Sequence, residues 1–154
     1  MILVQISNKQ WTMQAMHLAC AMARNNRTSV TLLHLMRVNS PSLLGTELGI
    51  MPPTTQECAD LREYEMIAED YGVQVLVQPM QYDDMAQALI QAADYTNASA
   101  IFAHLPESVF PLWKKFQTWN LRRELMAQGR KIHLLDQTEK EPEWVPSVSL
   151  KVTK

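Results

Sequence analysis

Short apolar runs alternate along this chain with longer stretches in which apolar residues recur every three or four positions, and the alternation repeats four times. Ile2 to Ile6 predicts a first strand, followed by a polar turn at Ser7-Asn8-Lys9. Met16, Ala19, Cys20 and Ala23 then recur at helical spacing, which predicts a helix from Thr12 to Asn25, with Asn25-Asn26 as its stop. Ser29 to Val38 is apolar almost throughout, as expected of a parallel strand covered on both faces. Thr54 or Thr55, with Glu57 close behind, opens a second helix that runs to Tyr71 and stops at Gly72. Val73 to Met80 reads as a third strand. Asp83 or Asp84 caps a third helix through Tyr95, with Met85, Ala88, Leu89 and Ala92 on one face. Ala98 to Leu105 is a fourth strand, Pro111 to Gln128 a fourth helix stopped by Gly129, and Lys131 to Asp136 a fifth strand.

Repeated strand-helix alternation implies right-handed crossovers and a parallel sheet with helices on both faces, which is a doubly wound α/β domain. Asn39 to Pro53 breaks the rhythm with proline, glycine and serine and reads as a long loop. The domain is expected to occupy residues 1–136. Residues 137–154 form a polar linker and tail, in which Val148, Leu150 and Val152 alternate with Ser149, Lys151 and Thr153. That period of two predicts an extra strand, to pair on its own sheet edge or on a second copy.

Composition narrows the function classes. The chain has 154 residues, 47% of them apolar, enough for one domain with a real core. A formal charge of −2 gives no general attraction to nucleic acid or anionic membrane, so neither is expected as a partner. No apolar run approaches the roughly 20 residues of a membrane span, and Met1 leads into Ile2-Leu3-Val4 with no basic leader, so a cytoplasmic chain is expected. Cys20 and Cys58 lie far apart with no metal-like spacing and read as free thiols.

From Ser99 the sequence reads SAIFAHLPESVFPLWKKFQTWNLRRELMAQGRKIHLLD, which resembles the final strand, helix and strand of the universal stress protein family. MILVQIS, MQAMHLACAMARNN, VTLLHLMRV and YDDMAQALIQAADYTNASAIFAH resemble the family's earlier elements, in order, so the resemblance covers Ile2 to Asp136. It implies a five-stranded sheet of order 3-2-1-4-5, with a ligand crevice where strands one and four diverge. The family's phosphate loop reads G-x-x-G-x9-G-[S/T]. On that spacing the glycine positions hold His104, Glu107 and Gln117, and only Thr118 matches. An aspartate that contacts the nucleoside in the family is replaced by Ser7, followed by Asn8 and Lys9. Main-chain groups between Leu35 and Val38, centred on Met36, take the place that would contact the base.

Glycine matters in such a loop because bare N–H groups must approach phosphate, often with positive φ. His104 and Gln117 would crowd that approach, Pro106 removes a donor, and Glu107 adds negative charge. A carboxylate beside a phosphate costs on the order of 1 to 4 kcal/mol, and each lost donor roughly 0.5 to 1.5 more. Lys9 is the one nearby compensating charge. No cofactor is therefore expected, ATP and AMP being disfavoured. His104, Glu107, Asn8, Lys9 and Thr118 either build a new polar pocket or leave a crevice closed by larger side chains, the second being favoured.

His17, His34 and His133 show no triad or dyad context, and no nucleophile motif occurs, so no enzyme activity is expected. Charge is segregated: Glu57, Asp60, Glu63, Glu65, Glu69, Asp70, Asp83, Asp84 and Asp94 have only Arg62 as local counter-charge, whereas Lys114, Lys115, Arg122, Arg123, Arg130 and Lys131 cluster around helix four. Trp113, Phe116 and Trp119 share that basic helix. Solvated faces explain this, or docking between subunits or onto a protein partner. The reading is a universal-stress-protein-like regulatory or binding module without ATP, acting through dimerisation and partner or small-ligand binding. The resemblance implies a homodimer through strand five. Two alternatives stand beside it: a stress protein with weak ATPase activity through a rearranged loop, and a cytoplasmic regulatory domain of a membrane transporter.

Overall fold

The computed structural model describes residues 1–38, 42, 45, 52–105 and 111–135. Its elements alternate as the hydrophobic pattern predicts: β1 (Ile2–Gln5), α1 (Lys9–Asn26), β2 (Val30–Arg37), α2 (Thr55–Tyr71), β3 (Val75–Tyr82), α3 (Met85–Thr96), β4 (Ala100–Ala103), α4 (Pro111–Ala127) and β5 (Lys131–Leu134). All five strands are parallel, in the order β3-β2-β1-β4-β5. The predicted tail strand and most of the 39–53 loop lie outside the described residues.

Alternation of side chains along the central strands divides the core in two. Ile2, Val4, Val30, Leu32, Ala100 and Phe102 face one side and pack with Trp11, Met16 and Ala19 of α1 and with Tyr64 and Ile67 of α2. Leu3, Leu33, Ile101 and Ala103 face the other and meet Leu89 and Ala93 of α3 and Leu121 and Leu125 of α4. Helices α1 and α2 thus cover one face of the sheet and α3 and α4 the opposite one. β1 runs up the middle with Ile2 beside both Val30 and Ala100, and its four residues are all buried.

Several element boundaries differ from the expectation, each for a local reason. α1 starts at Lys9, because Asn8 is a strong N-cap whose Oδ1 accepts the Trp11 N–H at 2.9 Å. Its end passes both asparagines. Arg27 takes the left-handed conformation (φ 51°), and the Thr28 N–H reaches back to the Ala23 carbonyl at 2.9 Å. α2 opens with a capping box: Thr54 Oγ1 accepts the Glu57 N–H and Glu57 Oε2 accepts the Thr54 N–H. It closes on Gly72, at φ 67°. Because the Val73 N–H completes that cap on the Ala68 carbonyl, β3 begins later than expected, at Val75, and runs through Pro79 to Tyr82. Pro79 is tolerated there. Even-numbered residues of β3 turn their backbone to β2, as Gln74 and Tyr82 do, so the missing N–H of Pro79 falls on the open edge.

β4 and β5 are shorter than predicted, and the imidazole of His133 on β5 stacks on Phe102, with ring centroids 4.8 Å apart and planes 19° apart. Its Nε2 is buried with no hydrogen-bond partner among the described residues. Burial, aided by the Lys131 charge, pushes the imidazole pKa below its usual 6.5. Below pH 6.5 the unfolded chain therefore holds the extra proton in preference to the folded one. Stability is full above about pH 6.5 and falls as the pH drops through the native value. His133→Phe, which keeps an aromatic ring on Phe102, is expected to flatten the loss of melting temperature in that window. An unchanged slope in melts recorded at stepped pH would remove His133 as its source. Acid loss through Glu57 and Asp60, whose pKa values lie below 4.5 and 3.8, falls in a separate, lower range.

Candidate functional site

In a sheet of this order the strands run outward in opposite senses from β1, and ligands bind outside the carboxyl ends of the strands at that switch point. Ser7 follows β1 there and His104 follows β4, and their side chains meet. The Ser7 hydroxyl and His104 Nδ1 lie 2.7 Å apart, in hydrogen-bond contact across the switch point. The His104 N–H donates to Gln5 Oε1 at 2.9 Å, and Gln5 is itself buried at the end of β1. Trp11, from the first turn of α1, is fully buried with its ring centroid 5.3 Å from that of His104, and its indole N–H donates to the Leu135 carbonyl at 3.0 Å. The ends of β1, β4 and β5 are thus tied together through side chains where a crevice would open.

The amino end of α1 turns its polar groups inward as well. Asn8 spends Oδ1 on Trp11, Thr12 Oγ1 accepts the Ser7 N–H at 2.9 Å, and the Thr12 hydroxyl donates to the Asn8 carbonyl at 2.9 Å. Thr12 is fully buried and its bonds fix the chain between β1 and α1. Lys9 points the other way. Its Nζ lies 2.6 Å from Glu63 Oε1 and 3.1 Å from Asp60 Oδ1 on α2. These bonds raise the Lys9 pKa, and Lys9 in turn holds Asp60 below its usual range. The lysine expected to compensate a phosphate is thus already shared by two carboxylates, and Arg62 is not the only counter-charge to the acidic set, since Lys9 answers Asp60 and Glu63 and Arg130 answers Asp94.

The remaining expected site residues separate into three cases. Gln117 and Thr118 do not stand in a loop: α4 begins at Pro111, so both lie inside the helix, where their N–H groups point back along the axis to preceding carbonyls. Gln117 is exposed and Thr118 half-buried. Met36 sits in β2 opposite Gln81. Even-numbered residues of β2 turn their backbone to β3, as Val30 and Val38 do, while Leu33 turns to β1, so the groups of Met36 belong to the sheet ladder. Glu107 lies outside the described residues, as does Pro106.

Among the described residues, open space lies to one side of the switch point. A cleft of about 100 Å³ lies between the end of β1 and α2, lined by Ser7, His34, Glu57, Asp60 and Tyr64 among others. Small-molecule sites typically enclose about 300 to 1,000 Å³. Its two carboxylates are ionised at neutral pH, Glu57 being held low by its capping bonds to Thr54, and they disfavour an anion. His34 Nε2 stands 4.0 Å from Glu57 Oε1, and His17 contacts the Tyr71 hydroxyl at 3.3 Å, so both have structural partners. Among the described residues no group of three or more His, Cys, Asp or Glu is placed to hold a metal ion. None of the described helices is long and apolar enough to cross a membrane.

Trp11 and Gln5 were not among the expected site residues, although each left a trace in the sequence. A lone glutamine closing a buried apolar strand must find a hydrogen-bond partner. Asn8 three residues before a tryptophan N–H is a capping spacing, and recognising it would have drawn Trp11 into the helix.

No family model matches the chain, and no curated protein matches its sequence. Solved structures do match its shape. A universal stress protein in complex with cAMP is 14% identical, with a TM-score of 0.60 over 88% of this chain and 95% of its own. A universal stress protein from Archaeoglobus fulgidus is 12% identical, with a TM-score of 0.57 over 88% and 92% of the two chains. The universal stress protein UspA from Lactobacillus plantarum is 13% identical, with a TM-score of 0.52 over 88% and 96%. At such identities the likeness speaks for architecture alone: the chain has the fold of the universal stress proteins, a five-stranded parallel α/β sheet of order 3-2-1-4-5.

Proposed function

We propose that this chain is a regulatory or binding module on the universal stress protein scaffold that acts without a nucleotide and without catalysis, as a cytoplasmic homodimer engaging a protein partner. The Ser7–His104 contact, backed by Trp11, carries the reading, because it occupies the switch point from which a nucleotide would be bound. The position of Lys9, bonded to Asp60 and Glu63, and the placement of Gln117 and Thr118 within α4 support it. One similarly folded protein is in complex with cAMP, so cAMP belongs among the nucleotides against which the reading is tested. The homodimer rests on β5, which is the last strand of the sheet and leaves its outer ladder groups without a strand neighbour among the described residues. Acid extraction of the purified protein followed by chromatography is expected to release no nucleotide. Recovery of adenine nucleotide near one per chain would overturn the reading.

A further inference from the structure

α4 carries two apolar faces. Leu121 and Leu125 are buried against the sheet. Phe116, Trp119, Arg123 and Met126, spaced three, four and three apart, form a second stripe on the solvent side, as i, i+3 and i+4 neighbours do. Phe116, Trp119 and Met126 are 56%, 55% and 64% exposed, so the stripe is not core. It is also organised. The Arg123 guanidinium lies 5.1 Å over the Trp119 ring, and Phe116 stands 6.3 Å from Trp119. Arg122 adjoins it, and no acidic residue lies in the first turn of the helix. Tryptophan and arginine together on an exposed face are the residue types that dominate protein interfaces.

A surface of complementary character lies on the same chain. The outer side of α2 exposes Glu65, Met66, Glu69 and Asp70, with Met66 55% exposed. Lys9 answers Asp60 and Glu63, but the last turn of α2 has no basic residue. Glu69 and Asp70 therefore sit at the negative end of the helix dipole, where an incoming cation is favoured.

We propose that the aromatic-basic stripe of α4 docks on the acidic outer face of α2 from a second copy of this chain. The two helices cover opposite faces of the sheet, so one molecule cannot satisfy its own pair. The contact is heterologous, each copy offering α4 to one neighbour and α2 to another, and it extends association beyond the two chains that a β5-edge pair would hold. Trp119 meets Met66 while the arginines meet the carboxylates, so assembly weakens as salt screens the charges.

Sedimentation velocity on the full chain, across protein concentration and at low and high ionic strength, tests this. Species larger than two chains are expected to grow with concentration at low salt and to dissolve at high salt. Arg122→Glu with Arg123→Glu, and separately Glu65→Lys with Glu69→Lys, are each expected to weaken that assembly by at least ~10-fold. Mixing the two double variants is expected to restore it, because the intact α4 of one meets the intact α2 of the other and the reversed faces also match. Trp119→Ala should weaken assembly at low salt, with the charges of both faces left in place. A wild-type size that never exceeds two chains would mean that the stripe faces a different molecule and would overturn the proposal. So would reversed variants that assemble like wild type, or a mixture of folded variants that stays unassembled.

Discussion

Trp11→Ala is expected to lower the melting temperature by roughly 6 to 20 °C, because deleting a buried tryptophan costs about 3 to 5 kcal/mol and each kcal/mol moves a domain of this size by about 2 to 4 °C. The indole is fully buried, packs with Met16, Tyr64 and Phe102 in one cluster, and holds the Leu135 carbonyl through its N–H. Removing it leaves a void beside His104 and an unsatisfied carbonyl together. Trp11→Phe keeps one six-membered ring but loses the N–H bond and part of the packed indole, so a smaller loss of roughly 1 to 3 kcal/mol is expected. Calorimetric or circular-dichroism melts of the two variants separate the terms. A loss below ~3 °C in the alanine variant would show that Trp11 does not wedge the strand ends together.

Phe102→Ala is expected to cost a similar ~3 to 5 kcal/mol. Phe102 lies on β4 beside Val4 of β1, buried under α1, and supports the His133 ring on β5. Its loss should also hydrate His133 and reduce the pH sensitivity expected of that imidazole, an effect that a mere packing defect elsewhere in the core would not share. Because Trp11 and Phe102 share one cluster, the double variant should lose less than the sum of the two singles. Strict additivity would mean that the two residues do not form one wedge.

The fold was legible where burial leaves a continuous signature. Ile2 to Ile6 and Ser29 to Val38 read as covered strands because parallel strands are apolar on both faces, and Thr54 or Thr55 ahead of Glu57 placed the start of α2 to within one residue. The strand order came from the resemblance to the universal stress proteins, since no local pattern distinguishes one parallel neighbour from another. Site chemistry was legible in part. His104, Glu107 and Gln117 at the glycine positions were legible as residues, but Ser7 and His104 meet across 97 positions of sequence, and no spacing rule reaches that far. Lys9 looked available because its partner Glu63 lies 54 residues away. Trp11 falls between the turn predicted at Ser7-Asn8-Lys9 and the helix predicted from Thr12, one turn after its real cap at Asn8. The aromatic and basic residues of α4 were visible as a composition. Only their placement opposite Leu121 and Leu125 shows that they form an outer stripe.

The proposed independence from nucleotide is tested most directly by melting the wild-type protein with and without millimolar ATP, ADP, AMP and cAMP. A ligand present at a hundredfold its Kd stabilises the native state by about 2.7 kcal/mol, or roughly 5 to 11 °C here. The proposed function predicts midpoints that coincide with and without each nucleotide. A saturable rise with any of them would show that the Ser7–His104 contact opens to admit a ligand, and would contradict the account.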